Sequence, residues 1–411
     1  MSFQSYFLNC THNEIEISSI WISGGSYLDK LNKKGINQLL CSLLTRGCEK
    51  YDNFALSEYL NSYGAELNYD TFEDGTLLSI KCLSEYHRKT NKILKLIVET
   101  PSLSEKEFST CKKFLQNNIL KSKENAFNIT YDNWRKIVYL NHPYAFSTDG
   151  YLQDLNLISY KDICLEYKDF ENREKFLLTN QISKNFINLD LLVFKKLKKE
   201  DLINDFQNKT TNSRKFINHY SKREQIIMMI GNKTCPHAHE DTLALKILES
   251  HLSFGMSSKL FELFREKNGL TYDSGIFYPS RKFDAPFFIY LSTSNKNSLK
   301  VFEILLNIWK NLITHELTEE ELSFAKVKLK SFILHSNQTT EDIINRKIQL
   351  LAYNLNPNLD IELLDKMELI SCEDILSVSQ KYFKEPHISI SGEKLTCKKI
   401  ENSLLNNFIH Q

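Results

Sequence analysis

Residues 103–120, LSEKEFSTCKKFLQNNIL, return at 317–334 as LTEEELSFAKVKLKSFIL, with eight of 18 positions identical at an offset of 214. A repeat of this length constrains the 411-residue chain strongly, because it asks for two copies of one arrangement. Both copies open on a hydroxyl residue with a glutamate three positions later, Ser104 with Glu107 and Thr318 with Glu321. At a helix start that spacing lets hydroxyl and carboxylate satisfy orphan amides reciprocally. The surroundings repeat as well. Each half offers a short apolar strand (Ile20–Ser23; Ile226–Ile230), a helix, a glycine-marked turn, further strands, a long helix and then the capping-box helix. Thr76–Leu83 and Pro286–Leu291 are bulky and β-prone, and read as half-buried antiparallel strands. The expected fold is α+β: two similar domains of about 200 residues, each an antiparallel sheet packed with helices. The polar stretch 204–215 reads as the linker, which places the domains at 1–203 and 216–411. Lys195-Lys-Leu-Lys-Lys199, just before it, reads as a solvated helix face, with a patch for an anionic partner as the alternative.

Composition closes off several classes. The chain is 42% hydrophobic and 25% charged, as soluble globular proteins are. A net charge of +1 gives no electrostatic case for nucleic acid. Nine cysteines are an odd number with no Cys-x-x-Cys pair, which argues against a disulfide framework and a structural zinc site. Reduced thiols in a cytoplasmic compartment are the expectation. No apolar run reaches the length of a membrane span. The start, MSFQSYFLNC, lacks a basic region and soon meets His12, Glu14 and Glu16, so no signal peptide is expected. There is no Gly-x-Ser-x-Gly elbow, phosphate loop or dinucleotide fingerprint.

Ile36, Leu39, Leu40, Leu43 and Leu44 make the i, i+3, i+4, i+7, i+8 stripe of a core-facing helix, with Gly47 expected as its C-cap. A second stripe, Gln38, Cys41, Ser42 and Thr45, lies on another face. Around this helix stand Trp21-Ile-Ser-Gly-Gly-Ser26, Lys34-Gly-Ile36, Tyr63-Gly-Ala65, Asn141-His-Pro-Tyr144 and Gly150. The second half carries Phe254-Gly-Met-Ser-Ser-Lys-Leu-Phe261 and Phe264-Arg-Glu-Lys-Asn-Gly-Leu-Thr-Tyr272. In this order the segments resemble the landmarks of the insulinase and mitochondrial-processing-peptidase family over nearly the whole chain. The last of them, with its Arg and Tyr seven residues apart, is the most specific. The family's zinc peptidases carry His-x-x-Glu-His where this chain reads Gln38-Leu39-Leu40-Cys41-Ser42. The N-terminus departs too, and a typical member's first strand is expected to be missing.

Such hydrolysis needs about three protein ligands on zinc, an open position for water and a base. Gln38 and Ser42 are poor ligands, and the Cys41 thiol does not replace a carboxylate base. The family's distant Glu ligand falls near Gln116, Asn117 and Asn118, where no acid stands. His237-Ala-His239-Glu240 reads as a surface loop, since residues two apart do not share a helix face; weak metal binding is its alternative. Cys41 has no local His to activate it and reads as a small buried residue rather than a nucleophile. No metal is therefore expected in this chain. The resemblance implies that Arg265 and Tyr272 hold a substrate carbonyl and its developing oxyanion. The plainer reading is a surface Arg paired with an acid beside a half-buried Tyr. Relatives build a hollow clam-shell, in one arrangement from two chains: one bears zinc, the other the Arg/Tyr pair. This chain looks like the second kind. It is expected to be a non-catalytic, substrate-binding subunit of a heteromeric zinc metallopeptidase, inactive alone. It would form a heterodimer with a zinc-bearing homologue and act on peptides. The rival expectation is a structural or scaffolding relative with no role in proteolysis. A free-standing enzyme of another chemistry is the third reading.

Overall fold

The computed structural model describes residues 3–9, 14–181, 186–192, 215–267 and 269–409. In chain order the first half gives β1 (Gln4–Phe7), β2 (Ile15–Ser23), α1 (Ile36–Leu44), α2 (Asn53–Ser62), β3 (Glu66–Thr71), β4 (Gly75–Leu83), α3 (His87–Glu99), α4 (Glu105–Ser122), α5 (Ala126–Tyr139), α6 (Leu152–Leu157), α7 (Tyr160–Glu171), β5 (Lys175–Thr179) and β6 (Ile187–Asn188). The second gives β7 (Phe216–Tyr220), β8 (Gln225–Lys233), α8 (Thr242–Ser253), the short α9 (Lys259–Phe261), β9 (Thr271–Phe277), β10 (Pro286–Ser294), α10 (Ser298–Thr314), α11 (Glu319–His335), α12 (Thr340–Ala352), α13 (Leu359–Lys366), α14 (Cys372–Tyr382), β11 (His387–Gly392) and α15 (Lys394–Ile409). The repeat thus runs through the chain, with α4 and α11 as its visible pair. The linker expected at 204–215 and the 195–199 lysine run lie outside the described residues, Lys215 excepted.

Two sheets form. One has the strand order β3-β4-β2-β5-β1-β6, the other β7-β11-β8-β10-β9. The central pairs are antiparallel as expected. The edges correct that reading: β1 runs parallel to β5 and β6, and β7 parallel to β11. A parallel neighbour needs a long crossover, which strand-by-strand alternation does not reveal. β1 is also a correction, since the N-terminus forms a strand that the resemblance led us to expect absent.

Compact units do not follow the halves. The first comprises residues 1–121, 146–197 and 335–359; the second 122–145, 198–334 and 360–411. Contiguous domains at 1–203 and 216–411 therefore miss an exchange: the second unit takes in α5, and the first takes in α12. Sequence periodicity says that a helix has an apolar face, not which sheet receives it.

Both sheets are covered on two faces, which is why β8 and β10 carry the apolar runs Ile226–Ile230 and Pro286–Leu291, and why β2 is buried along Ile17–Ile22 in spite of its serines. In the first unit, Ile20 and Ile22 of β2 join Leu39, Leu43, Ile93 and Leu115 in one core. The opposite face meets α12, where the Ser19 hydroxyl donates to Asn345 Oδ1 at 2.8 Å. In the second unit Trp134 of α5 is fully buried. It donates its indole N–H to His387 O at 3.1 Å and packs on Phe288 at 4.7 Å between ring centres. On that sheet's other face, Trp309 of α10 donates to Phe383 O at 2.8 Å.

Caps differ from expectation in two places. Thr318 and Glu321 form their box: Glu321 N donates to Thr318 Oγ1 at 3.2 Å and Thr318 N to Glu321 Oε2 at 3.0 Å. Ser104 and Glu107 make no such pair of bonds; in the first half the box belongs to Ser159 and Asp162 of α7. α1 ends at Leu44 with Thr45 as its cap, so Gly47 (φ +144°) serves the following turn instead.

Candidate functional site

α1 begins at a crowded crossing. Gly35 has φ +95°, and a Cβ there would lie 2.4 Å from the Asp149 carbonyl oxygen. Gly150, φ +75°, would likewise meet Lys34 O at 2.0 Å. Only glycine fits both backbones. The cap comes from Asp29, a distant residue: its carboxylate accepts from Gly35 N at 2.6 Å, Asn37 N at 3.3 Å and Asn37 Nδ2 at 2.6 Å. Burial pushes the Asp29 carboxyl up to about 6, against the pull of Asn37, Gly35 and Lys34. Arg173 holds the far side of Asn37 at 2.6 Å and pairs with Glu166.

The helix is buried nearly all round. Cys41 is 1% exposed and Ser42 4%, while Gln38 is half-buried with its Oε1 lacking a hydrogen-bond partner among the described residues. This stripe faces β3. Burial pushes the Cys41 thiol up; Thr71 offsets that in part and Asp70 adds to it. The Tyr69 hydroxyl lies against Ser42, with Cys41 and Cys111 beside it. On α4, Gln116 donates to Asn156 Oδ1 at 2.9 Å, Asn117 is exposed and Asn118 half-buried. A zinc ion does not fit this donor set. Its positions supply amides, a hydroxyl and a buried thiol held in its neutral form, and a metal requires the deprotonated ligand. Among the described residues no group of three or more His, Cys, Asp or Glu is placed to hold a metal. The His237–Glu240 loop differs from its surface reading: His237 is 4% exposed, and His239 sits 3.4 Å from Asp241 Oδ2.

The second unit presents Arg265 and Tyr272 on two backbone irregularities. After α9 the chain widens into a π-turn, Glu262–Glu266, with Lys267 N donating to Glu262 O at 3.0 Å. Fully buried Phe264 anchors it, and Leu270 N returns to Phe264 O at 2.8 Å past Gly269, φ +57°. Arg265 therefore points outward. It is exposed, its guanidinium lies 5.3 Å from the Phe261 ring centre, and it has no carboxylate partner among the described residues. Glu262, three residues back, is engaged by Lys267 at 2.5 Å. The plainer reading of Arg265 as one half of an ion pair is thus not what the structure has.

Tyr272 sits in β9, the sheet-edge strand. Thr271 pairs with Thr293 and Asp273 with Ser292, so Tyr272 is the extra residue of a β-bulge. A bulge re-aims its side chain; Tyr272 is 65% exposed. Thr293 Oγ1, donating to Leu270 O at 2.5 Å, ties the bulge to the loop that follows the π-turn. The unit therefore presents a cation and a phenol to solvent, on backbone anchored by Phe264 and Thr293. Such donors suit an oxygen on which negative charge develops. The sequence motif singles out these two residues but not the π-turn and bulge on which they sit. π-turns and bulges arise where the chain must close on a neighbour, and only Gly269 hints at that in the sequence.

Comparison with known proteins follows the two halves. Residues 11–150 match the family described as insulinase (peptidase family M16), and residues 179–329 match the peptidase M16 inactive domain. An uncharacterized zinc protease of Rickettsia felis is 23% identical over 367 residues, 87% of each chain. A non-peptidase homolog, YmxG, of Helicobacter pylori is 22% identical over 363 residues, 86% of this chain and 82% of that one. A crystal structure of a peptidase M16 inactive domain from Pseudomonas fluorescens superposes with a TM-score of 0.79 at 17% identity, covering 94% of this chain and 95% of that chain.

Proposed function

The chain belongs to the insulinase family, peptidase family M16, and from that premise we propose that it is a non-catalytic, substrate-binding subunit of a heteromeric zinc metallopeptidase. Zinc and its base belong to a homologous partner; this chain contributes Arg265 and Tyr272 to the bound peptide. The observation that carries the reading is the pair itself: a solvent-facing guanidinium with no acid to neutralise it, on a π-turn, and a phenol re-aimed by a bulge. The degenerate α1 stripe supports the same division of labour. β3, an edge strand with one side unpaired, suits an extended peptide added as a further strand. We place the complex in the cytoplasm, where the eight described cysteines, all free, stay reduced.

The test is turnover of a fluorogenic peptide by this chain reconstituted with a zinc-bearing homologue. Arg265→Ala or Tyr272→Phe should lower kcat by about 10²–10³, the loss expected for one oxyanion donor, with assembly and melting unchanged. Turnover within about two-fold of the parent in both variants removes this reading and leaves the scaffolding role.

A further inference from the structure

α11 carries two apolar stripes where one is enough to seat it. Leu322, Ala325, Leu329 and Ile333 are its buried face. On the opposite side of the helix, at about 3.6 residues per turn, lie Phe324, Val327, Ser331 and Leu334. Phe324, Val327 and Leu334 are each half or more exposed. The patch widens towards Lys328, which donates to Ser257 O at 3.1 Å and so holds the loop of Met256, three-quarters exposed, beside the helix. Phe332, on that flank, packs on Phe254 at 4.5 Å between ring centres and still stands exposed.

The internal repeat supplies a control. α4 buries the same four stations, Phe108, Cys111, Leu115 and Ile119, at the offset of 214. On its outer side Thr110, Lys113 and Asn117 stand where α11 has Phe324, Val327 and Ser331, and only Leu120 matches Leu334 in character. The fold therefore does not need the outer stripe, and an exposed apolar strip that the fold does not need marks an interaction surface.

Charge says what fits it. α11 opens on Glu319, Glu320 and Glu321 and carries Lys326, Lys328 and Lys330 in its later turns. Lys259 and Thr318 hold Glu321, Cys372 donates to Glu319, and Lys326 faces Glu368. Glu320, at one end of the outer stripe, and Lys330, on its flank, are exposed and have no ion-pair partner among the described residues. Two copies of the helix laid parallel would oppose Glu320 to Glu320 and Lys330 to Lys330. Laid antiparallel about a two-fold near Ala325, each Glu320 meets the other copy's Lys330, and each Phe324 the other copy's Val327. An isologous contact requires that self-complementarity.

We propose that the outer face of α11 binds a second copy of this chain as an antiparallel helix pair, with Phe324 and Val327 at its centre and a Glu320–Lys330 ion pair on either side of the two-fold. A single helix seam buries less than a standard interface, so the dimer is weak and exchanges with monomer. The contact is separate from Arg265 and Tyr272 and does not depend on the peptidase reading. The test is analytical ultracentrifugation of the full chain, alone, over roughly 1–500 μM, the range in which a dimer of this size should dissociate. Phe324→Thr combined with Val327→Lys gives α11 the residues that α4 carries at those stations, so the fold is retained. That variant should associate at least about tenfold more weakly, with an unchanged melting temperature at low concentration. Glu320→Lys or Lys330→Glu alone should weaken association about three- to tenfold, because each change sets like charges together twice. The two combined should restore it to within about two-fold. A chain that stays monomeric over the whole range, association that survives Phe324→Thr with Val327→Lys, or charge reversals that do not rescue each other overturns the proposal.

Discussion

Trp134→Ala is a sharp test of the exchanged architecture, because it separates position in sequence from position in the fold. Trp134 lies in the first third of the chain, yet its ring is buried on the second sheet against Phe288, within 6.4 Å of the Tyr131 and Tyr139 ring centres. Removing a buried Trp side chain costs about 3–5 kcal/mol through lost contacts and a residual cavity. The His387 carbonyl also loses its indole donor, about 1 kcal/mol more. A total near 5 kcal/mol is a large share of the roughly 5–15 kcal/mol that holds a domain folded. Hydrogen exchange followed by mass spectrometry resolves where the loss falls. Amides of β8, β10 and β11 should lose about three to four decades of protection, at 1.36 kcal/mol per decade. Those of β2, β4 and β5 should keep theirs. Trp134→Phe, which retains most of the ring but no donor, should fall between. If the loss appeared in β2 and β4 while β11 kept its protection, assignment of α5 to the second unit would be wrong.

Further outcomes follow from the same contacts. Burial holds His87, His142 and His387 down to about 4, against about 6.5 when unfolded. The stability they confer is therefore present above pH 6.5 and lost as pH falls through 4, about 3 kcal/mol each. Asp29, raised to about 6, acts oppositely: its contribution is present below 3.8 and lost as pH rises through 6. The histidines outweigh it, so the melting temperature should drop from pH 7 to 4.5, and His87→Gln should flatten that slope; a rising melting temperature would refute the assignment. Gly35→Ala, forced to φ +95° against Asp149 O, should lose about 1–3 kcal/mol by urea unfolding; an unchanged midpoint would show that the crossing relaxes. The triple change Gln38→His, Cys41→Glu, Ser42→His places a carboxylate where Cys41 is 1% exposed, at a cost of several kcal/mol. It should melt lower without holding one zinc per chain, and metal analysis showing stoichiometric zinc at parental stability would contradict that.

Much of this was legible in the chain. The five-residue apolar stripe of α1 is buried as its period demands, and the α4/α11 repeat announced two equivalent layers. Gly35 and Gly150 stand 115 residues apart in sequence, and each looks like an isolated turn residue until their backbones are seen to cross. Asp29 was missed because a carboxylate that caps a helix from six residues upstream fits no local capping pattern. Parallel edge strands and the swap of α5 with α12 depend on where the chain travels after a strand ends, which periodicity does not encode. For the candidate site, the motif names Arg265 and Tyr272 but not the backbone irregularities on which they sit. The exposure of Tyr272 comes from one extra residue in a strand, which no propensity scale would place.

The position of α12 also sets a timetable for synthesis. The face of the first sheet that receives Ser19–Asn345 and the Trp21–Tyr353 contact stays bare until residues 340–353 have left the ribosome. At about 5–20 residues per second, the antiparallel β2–β4 pair waits for more than 250 residues of later chain, on the order of ten seconds or more, with an apolar surface open to chaperones or to another nascent chain. Folding of the N-terminal unit is therefore completed late, and release of a truncated chain ending before residue 340 would leave that unit unable to close at all.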